Sequence, residues 1–387
     1  MKSRLSKRSS NLSPFHVMDI LAQAKKMSQQ GRTIYHMEIG EPDFPTAECI
    51  INAGIDALKQ FKTHYTPALG LAELRVAVAE YYDRKFSVKI DPQRVVITPG
   101  ASGALQLAIA CLLDTGENVL LPDPGYPCNR NIAEVLAAKA IAIPVTAESY
   151  YQLNAELVAK HWNKKTRAAI VATPSNPTGT LLPEKQLTGL CQFIVQNNGR
   201  LIVDEIYQGL VYDKNDYTAL TFSDECFVIN SFSKYFGMTG WRIGWMVVPE
   251  DYIGSIDRIA QNIFLASPTI SQHAALIALK EETQIELDAR RDEFKRRRDF
   301  LLPALKQLGF EIAVKPQGAF YIYANCERFT DDSFSWAKQL LNEQGVAITP
   351  GIDFGTHQAN KHCRFAYTQS LELLEQAVDK IASFIQR

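Results

Sequence analysis

The sequence predicts an α/β fold, with a large domain built on a mostly parallel β-sheet between helices and a smaller α/β domain beside it. The first observation is length, because 387 residues exceed what one simple core usually holds. The second is a regular alternation of short apolar runs with helical patterns from about residue 90 to 250. The third is a change after residue 250 to long helices followed by a compact mixed region.

The predicted strands of the large domain are apolar along their whole length. Such runs, alternating with helices, are typical of parallel strands covered on both faces. Ligands of these sheets bind beyond the carboxyl ends of the strands. The strands lie in RVVITPG (94–100), NVLLPDPGYP (118–127), AAIVATPSNPTG (168–179), RLIVDEIY (200–207), CFVINSFSK (226–234) and RIGWMVVP (242–249), with helices over 101–113 and 183–198.

The last third of the chain predicts a second, compact α/β unit of about 100 residues. Its pattern indicates one or two long helices over 269–309, two strands within 310–326, and helices over 332–344 and 370–386. We therefore expect three segments: an N-terminal arm with part of the small domain (1–45), the large domain (46–285) and the small C-terminal domain (286–387).

Composition argues against several function classes. The formal net charge is −1, and the densest basic run, 290–298, is interleaved with Asp292 and Glu293, so it predicts a solvated helix face rather than a nucleic-acid site. Seven cysteines occur singly, without CxxC or HExxH, so neither a disulfide framework nor a metal site is predicted. No apolar run approaches the roughly 20 residues that span a bilayer. We expect a cytoplasmic protein without membrane or nucleic-acid partners.

Small and hydroxyl-bearing residues follow two predicted strands and indicate an anion site. Ala101 and Ser102 open a helix, where backbone N–H groups and the helix dipole suit a phosphate group. An ordinary helix cap would explain that segment on its own. The hydroxyls of Ser231 and Ser233 and the guanidinium of Arg242 would complete a phosphate cup.

Two ionisable residues at strand ends point to a cofactor. Asp204 follows an apolar strand, and a buried carboxylate needs a cation or several hydrogen-bond donors. A protonated heterocyclic nitrogen would be a suitable partner. An aspartate that caps the following turn is an equally good interpretation of this residue alone. Lys234 also ends an apolar strand, where desolvation favours a neutral amine able to form a Schiff base. A phosphate-contacting lysine of a nucleotide site is the competing reading, but the chain has neither GxGxxG nor GxxxxGK[ST]. A lysine able to form a Schiff base, an acidic partner for a ring nitrogen and a phosphate cup together indicate pyridoxal 5′-phosphate.

Over nearly its whole length the chain resembles the class I/II pyridoxal-phosphate-dependent aminotransferases of fold type I. The segment SFSKYFGMTGWRIG is similar to the cofactor-lysine signature of that family, and GEPDF, HYTPALGLAELR, PDPGYP, SNPTG and DEIY occur in the family's order. The resemblance implies a seven-stranded-type sheet, a homodimer with composite active sites, and ping-pong transfer of an amino group between an L-amino acid and a 2-oxo acid.

The resemblance also implies a role for each matching residue around the cofactor ring. Lys234 would be the Schiff-base lysine and proton shuttle, and Asp204 would keep the pyridine nitrogen protonated. Tyr207 and Asn176 would hydrogen-bond the phenolic oxygen. Tyr126 would stack on the ring.

The remaining matches concern the phosphate and the substrate. Arg364, in CRFAY, would clamp the substrate carboxylate in a bidentate contact, with the backbone of Gly40 as its companion. Tyr65 would reach the phosphate of the neighbouring subunit. The phosphate ligands within one chain would be Ala101, Ser102, Ser231, Ser233 and Arg242.

Alternative activities stay open on the motifs alone. Carbon–sulfur β-lyases and aminocyclopropane-carboxylate synthases share this fold. A transcription regulator with an aminotransferase-like domain would need a DNA-binding module, and only about 35 residues precede MEIGEPDF. A nucleotide-binding dehydrogenase is disfavoured by the missing glycine fingerprint.

The preferred substrate is not determined by these motifs. One dicarboxylate-specific subgroup uses a second arginine from the partner subunit, yet no arginine lies between Arg258 and Arg290 here, which argues against strict aspartate specificity of that type. Phe15, Val17 and Met18 would line an apolar side-chain pocket, or else form the core-facing stripe of an amphipathic helix over 13–27. Aromatic, branched-chain, alanine or broad specificity all stay open.

Overall fold

Two β-sheets organise the chain in a computed structural model that describes residues 6, 9–10, 12 and 14–386. The strands in chain order are β1 (Tyr35–Met37), β2 (Val95–Thr98), β3 (Asn118–Asp123), β4 (Lys139–Pro144), β5 (Thr166–Ala172), β6 (Arg200–Asp204), β7 (Phe227–Ser231), β8 (Gly244–Val247), β9 (Tyr321–Asn325), β10 (Val346–Pro350) and β11 (His362–Ala366).

Helices cover the sheets, and their bounds agree with most of the predicted helical patterns. The predicted helix over 13–27 is observed as His16–Gln29. Residues 1–5, 7–8, 11 and 13 of the predicted N-terminal segment lie outside the described residues. Within the described part of the chain, no helix has the length and apolar character that crossing a bilayer would need. The helices are α1 (His16–Gln29), α2 (Glu48–Lys59), α3 (Ala72–Phe86), α4 (Gly100–Leu112), α5 (Pro127–Val135), α6 (Ala155–His161), α7 (Glu184–Gln196), α8 (Ile253–Ile263), α9 (Thr269–Ala278), α10 (Glu281–Leu308), α11 (Ser333–Gln344) and α12 (Leu371–Ile385).

The larger sheet has seven strands in the order β2-β8-β7-β6-β5-β3-β4, which confirms the predicted α/β class. Only β8 runs antiparallel to its neighbours. Successive residues alternate between two cores: Leu201 and Val203 of β6 pack in one, and Ile202 between them packs in the other. Both faces are therefore covered, which explains why these strands are apolar throughout.

The smaller sheet has the order β1-β10-β11-β9, with β1 parallel to β10 and the other pairs antiparallel. Its strands come from the N-terminal part and the C-terminal third of the chain, as the predicted small domain requires. The domain boundaries themselves stay a proposal. The one at residues 285/286 falls inside α10.

Some sequence expectations about strands were wrong or incomplete. The region 310–326 contains one named strand, β9, and Glu311 forms only an isolated bridge with Asn325. Strands β1, β4 and β10 were not predicted. Strand β4 lies at the edge of its sheet and is partly exposed, so its sequence lacks the fully apolar signature of the central strands.

The basic run 290–298 is not the fully solvated helix face that the sequence predicted. Arg297 and Arg298 are buried. The Arg297 guanidinium lies 2.8 Å from a carboxylate oxygen of Asp43, and that of Arg298 lies 2.7 Å from Asp213. These carboxylate partners are distant in sequence and neutralise the buried charges, so local patterning could not reveal them.

Candidate active site

A cavity of about 320 Å³ lies where the carboxyl ends of the parallel strands face the smaller sheet. Its wall contains the end of β6, the segment after β7, the start of α4 and residues of β9 and β11. The structure therefore brings together segments that span most of the sequence. Every predicted site residue except Tyr65 lines this cavity: Gly40, Ala101, Ser102, Tyr126, Asn176, Asp204, Tyr207, Ser231, Ser233, Lys234, Arg242 and Arg364.

Lys234 lies three residues beyond β7, and its amine points at the backbone of a segment from the other end of the chain. The Nζ atom donates a hydrogen bond to the carbonyl oxygen of Gly40 at 2.7 Å. Burial lowers the pKa of this amine to about 8; the Glu41 carboxylate opposes the shift, whereas the guanidinium groups of Arg364 and Arg242 add to it. A partly neutral amine near physiological pH is the form that can act as a nucleophile or a base.

Asp204 is the last residue of β6 and faces the same cavity. Burial raises the pKa of its carboxyl to about 6, although the Ile206 N–H, which donates to Oδ1 at 3.1 Å, and the charge of Lys234 partly oppose this shift. The carboxylate therefore lacks a full set of partners from the protein. A cationic N–H from a ligand would supply the missing interaction.

The start of α4 forms one side of an anion cradle. Gly100 adopts a positive φ of 72°, which favours glycine. A Cβ at Gly100 would lie 2.6 Å from a terminal nitrogen of Arg242, and one at Gly244 would lie 3.1 Å from the backbone nitrogen of Ala101. The absence of side chains at both positions lets the guanidinium and the N–H groups of the helix start lie close together.

The segment after β7 forms the other side of the cradle. The hydroxyl of Ser231 donates to that of Ser233 at 3.0 Å. Arg242 has a φ of 52°, a left-handed conformation that is uncommon for a residue with a side chain, and its NH1 donates to the carbonyl oxygen of Thr239 at 2.9 Å. Two hydroxyls, a guanidinium and a helix N-terminus form a donor set suited to a phosphate group.

A buried polar network that the sequence did not reveal supports this cradle. Asn230 accepts a hydrogen bond from the Ser231 N–H at 2.7 Å and donates to Gln208 at 2.9 Å, and Gln208 donates to Glu205 at 2.8 Å. Glu205 also accepts from the Ala219 N–H at 2.6 Å, yet burial raises its pKa to about 8. The network fixes the backbone that presents Ser231.

Arg364 is buried on β11 and retains free hydrogen-bonding capacity. Its NH1 donates to Asn176 Oδ1 at 2.9 Å, and its NH2 donates to the Glu38 carbonyl oxygen and, at 3.1 Å, to Thr349 Oγ1. Its Nε is buried and has no hydrogen-bond partner among the described residues. These protein acceptors contribute no carboxylate to the guanidinium, so the charge is available to a ligand carboxylate.

Tyr321, which the sequence reasoning did not select, organises the side of the cavity beside Arg364. The guanidinium carbon of Arg364 lies 4.2 Å from the centre of the Tyr321 ring. The Tyr321 hydroxyl lies 2.7 Å from that of Tyr207. A Cβ at Gly40 would collide with that same hydroxyl, so glycine is required there. No local motif marks Tyr321, because Gly40, Tyr207 and Arg364, which it contacts in the cavity, are distant in sequence.

Of the predicted site tyrosines, Tyr126 lies in the cavity and Tyr65 lies outside it. Tyr126 directly precedes Pro127 at the start of α5 and lines the cavity, where burial raises the pKa of its phenol. Tyr65 is 83% exposed and lies outside the cavity of its own chain. Its role toward a neighbouring subunit stays a prediction.

Solved structures that share this architecture include those of aminotransferases. The chain is similar to the crystal structure of an aminotransferase from Mycobacterium tuberculosis, with a TM-score of 0.96 and 35% identity over 100% of both chains. It is also similar to aspartate aminotransferase from Thermus thermophilus with maleate, with a TM-score of 0.93 and 31% identity over 98% of this chain and 99% of the other.

Sequence comparison agrees with this class. A family model described as aminotransferase class I and II matches residues 32–381. The (5-formylfuran-3-yl)methyl phosphate transaminase of Methanocaldococcus jannaschii is 39% identical over 99% of this chain and 100% of its own length. Valine–pyruvate aminotransferase of Mycobacterium tuberculosis is 35% identical over 96% of each. The chain belongs to the class I and II aminotransferase family, and its activity is that of an aminotransferase; these relatives do not favour the carbon–sulfur lyase alternative.

Proposed function

We propose that this aminotransferase uses pyridoxal 5′-phosphate to move an amino group between an L-amino acid with an uncharged side chain and a 2-oxo acid. One observation carries the proposal. A single cavity holds an amine whose pKa is lowered to about 8, a carboxyl whose pKa is raised to about 6, a phosphate-sized donor cradle and a buried guanidinium with a free N–H.

The residues fit this cofactor at four points. The cradle formed by the start of α4, Ser231, Ser233 and Arg242 would hold the phosphate. Asp204 would hold a protonated ring nitrogen, and Tyr207 and Asn176 would lie beside the phenolic oxygen, with Tyr126 against the ring. When bound, the cofactor supplies an electron sink for the α-carbon of the amino acid.

Lys234 performs the proton transfers. Its amine lies in the wall of the cavity and is partly neutral at physiological pH, so Nζ is able to take the α-proton of the amino acid and hold it until it is returned. Nζ donates a hydrogen bond to the Gly40 carbonyl oxygen at 2.7 Å, which directs the amine into the site.

Arg364 orients the amino acid through its α-carboxylate. Asn176 and Thr349 fix the guanidinium, and the rings of Tyr321 and Phe354 flank it with centroid distances of 4.2 and 4.8 Å. The free Nε–H is available to one carboxylate oxygen. Such fixed geometry places the α-carbon so that the Lys234 amine can take its proton.

The charges of the cavity favour an uncharged substrate side chain. Among the described residues that line it, Lys234, Arg242 and Arg364 are the only cationic ones, and each already has a role. The lining also includes Glu41, whose carboxylate would repel a second negative charge. Val17 and Met18 of α1 and Ile132 of α5 add apolar side chains to the lining.

We also propose a homodimer with composite sites. A second cavity of about 770 Å³, lined by Thr63, Trp241 and Pro268 among others, opens on Arg242 and would admit part of a partner subunit. The neighbouring surface carries Phe61 and Tyr65, which are more than four-fifths exposed.

The free state of all seven cysteines supports a reducing compartment such as the cytoplasm.

The test is a single-turnover experiment on the protein reconstituted with pyridoxal 5′-phosphate. An amino donor added without an oxo acid should release about one equivalent of 2-oxo acid per site, since half of the reaction is complete, and a second oxo acid should then permit many turnovers. Continuous release of ammonia and pyruvate without an oxo acid would instead indicate a lyase. Lys234→Ala should abolish the release, whereas the exposed-lysine control Lys185→Ala should not.

A further inference from the structure

The first turn of α1 is capped by a residue from the far end of the chain. Phe15, at the N-cap position, gives no side-chain hydrogen bond. Instead, Oδ1 of Asp353 accepts from the His16 N–H at 2.8 Å and Oδ2 accepts from the Val17 N–H at 2.8 Å. A carboxylate at this position satisfies two N–H groups that the helix itself leaves free and interacts favourably with the helix dipole. Asp353 therefore fixes where α1 begins.

The turn that Asp353 fixes forms part of the cavity wall. Phe15, Val17 and Met18 all line the cavity, and Val17 is 4% exposed. The lining continues with the aliphatic side chains of Ile39 and Ile132. Movement of the first turn of α1 would therefore open or close an apolar surface inside the site.

The segment that carries Asp353, residues 349–354, also contacts Arg364, the arginine proposed to bind the substrate carboxylate. Thr349 of β10 accepts a hydrogen bond from Arg364 at 3.1 Å, and the ring of Phe354 lies 4.8 Å from its guanidinium carbon. Asp353 lies between these two residues in sequence. One short stretch of backbone thus sets both the position of Arg364 and the position of the first turn of α1.

We propose that Asp353 is a positioning residue for substrate selection, which docks the first turn of α1 so that Phe15, Val17 and Met18 form an apolar subsite for the side chain of the amino donor. The proposal rests on the proposed function, because it places the substrate α-carboxylate at Arg364. It narrows the substrate class to amino acids with apolar side chains larger than a methyl group.

The experiment compares Asp353→Ala with a matched control, Asp332→Ala. Asp332 caps α11 through the N–H groups of Phe334 and Ser335, both at 3.1 Å, and does not line the cavity. Hydrogen–deuterium exchange of the holoenzyme should become at least about tenfold faster in the first turn of α1 for Asp353→Ala only, since its N–H groups lose their acceptors. Unchanged exchange there would overturn the docking role.

Donor kinetics then test selectivity. The ratio of kcat/KM for leucine to kcat/KM for alanine should fall about tenfold in Asp353→Ala, since a loosened wall forfeits apolar contact with the larger side chain only. The ratio should stay constant in Asp332→Ala, and the Kd for pyridoxal 5′-phosphate should stay constant in both. An equal loss for leucine and alanine would overturn the selectivity role.

The variant Asp353→Asn and the visible absorbance of the holoenzyme distinguish a failure of the proposed function from a failure of the proposed role of Asp353. Asp353→Asn retains one side-chain oxygen and should give a smaller change in the same direction, so it replaces Asp353→Ala if that variant does not fold. If neither leucine nor alanine changes the visible absorbance of the wild-type holoenzyme, the proposed substrate class is wrong. Hydrogen exchange still decides in that case whether Asp353 docks α1.

Discussion

Replacing Arg364 by lysine tests the carboxylate clamp most directly. A guanidinium has five N–H donors in a fixed plane. Three of the Arg364 donors go to Asn176, Glu38 and Thr349, which leaves the buried Nε–H and one terminal N–H for a ligand. Lysine keeps the positive charge but does not present several donors in a fixed plane to a carboxylate.

The expected loss follows from those two donors. Each hydrogen bond to a charged group contributes about 1.5–3 kcal/mol, so loss of one or both would cost about 1.5–6 kcal/mol. At about 1.4 kcal/mol per factor of ten, kcat/KM for the amino donor should fall by about 10 to 10⁴-fold. The cofactor spectrum should stay unchanged, because Arg364 lies at the substrate end of the cavity.

The assay compares two donors and a control variant. A donor amine that matches the amino acid but lacks the carboxylate should lose little reactivity in Arg364→Lys, because it has no carboxylate for the guanidinium to bind. Arg94→Lys is the matched control, because Arg94 makes three comparable hydrogen bonds, to Val248 and Asp224, away from the cavity. An equal effect of Arg364→Lys on both donors, or a change of less than about threefold in kcat/KM for the amino acid, would refute the role of Arg364 as the carboxylate clamp.

Three further perturbations test other parts of the site. Lys234→Ala should lower turnover by about 10²–10⁴-fold or more without changing the unfolding midpoint. Wild-type turnover should rise with pH through about 8, as the Lys234 amine loses its proton. Near-normal turnover in the variant would refute the role of Lys234 in proton transfer. The pKa of Glu205 is raised from 4.5 to about 8 in the folded state, so its stabilising contribution is present below pH 4.5 and is lost as pH rises toward 8. In urea unfolding, the free energy of unfolding of the wild type should fall by about 1.4 kcal/mol per pH unit relative to that of Glu205→Gln in this range. Parallel pH dependences of the two proteins would contradict this prediction. Tyr65→Phe should raise the Kd for pyridoxal 5′-phosphate about tenfold through loss of one hydrogen bond to phosphate, whereas Tyr150→Phe, on another exposed tyrosine, should not; equal Kd values would argue against a composite site.

The sequence was sufficient for those parts of the site that follow from strand order. Asp204 and Lys234 were predicted to meet because parallel strands end at one edge of a sheet, and both line one cavity. Residues whose role depends on distant contacts were missed. Tyr321 pairs with a tyrosine 114 positions away, and Asp353 caps a helix 337 positions away. Such contacts leave no local periodicity or motif.

The same limit explains the errors in the fold. Arg297 and Arg298 look like surface residues in sequence, because Asp43 and Asp213, two of the carboxylates that pair with them, are remote in the chain. Edge strand β4 is partly exposed and therefore has a weaker apolar pattern than the central strands. In both cases, tertiary partners override the local signal.

The contact between Lys234 and Gly40 has a consequence for the assembly of the enzyme. Gly40 precedes the whole seven-stranded sheet in the chain, and Arg364 follows it, yet both lie beside the same amine. A chain that has formed the large sheet alone would carry the lysine and the phosphate cradle but would lack Gly40 and Arg364. An amino-acid substrate at about 100 times its Kd would then favour the fully assembled state by about 2.7 kcal/mol. Substrate binding would thus stabilise only those molecules in which the two ends of the chain have come together.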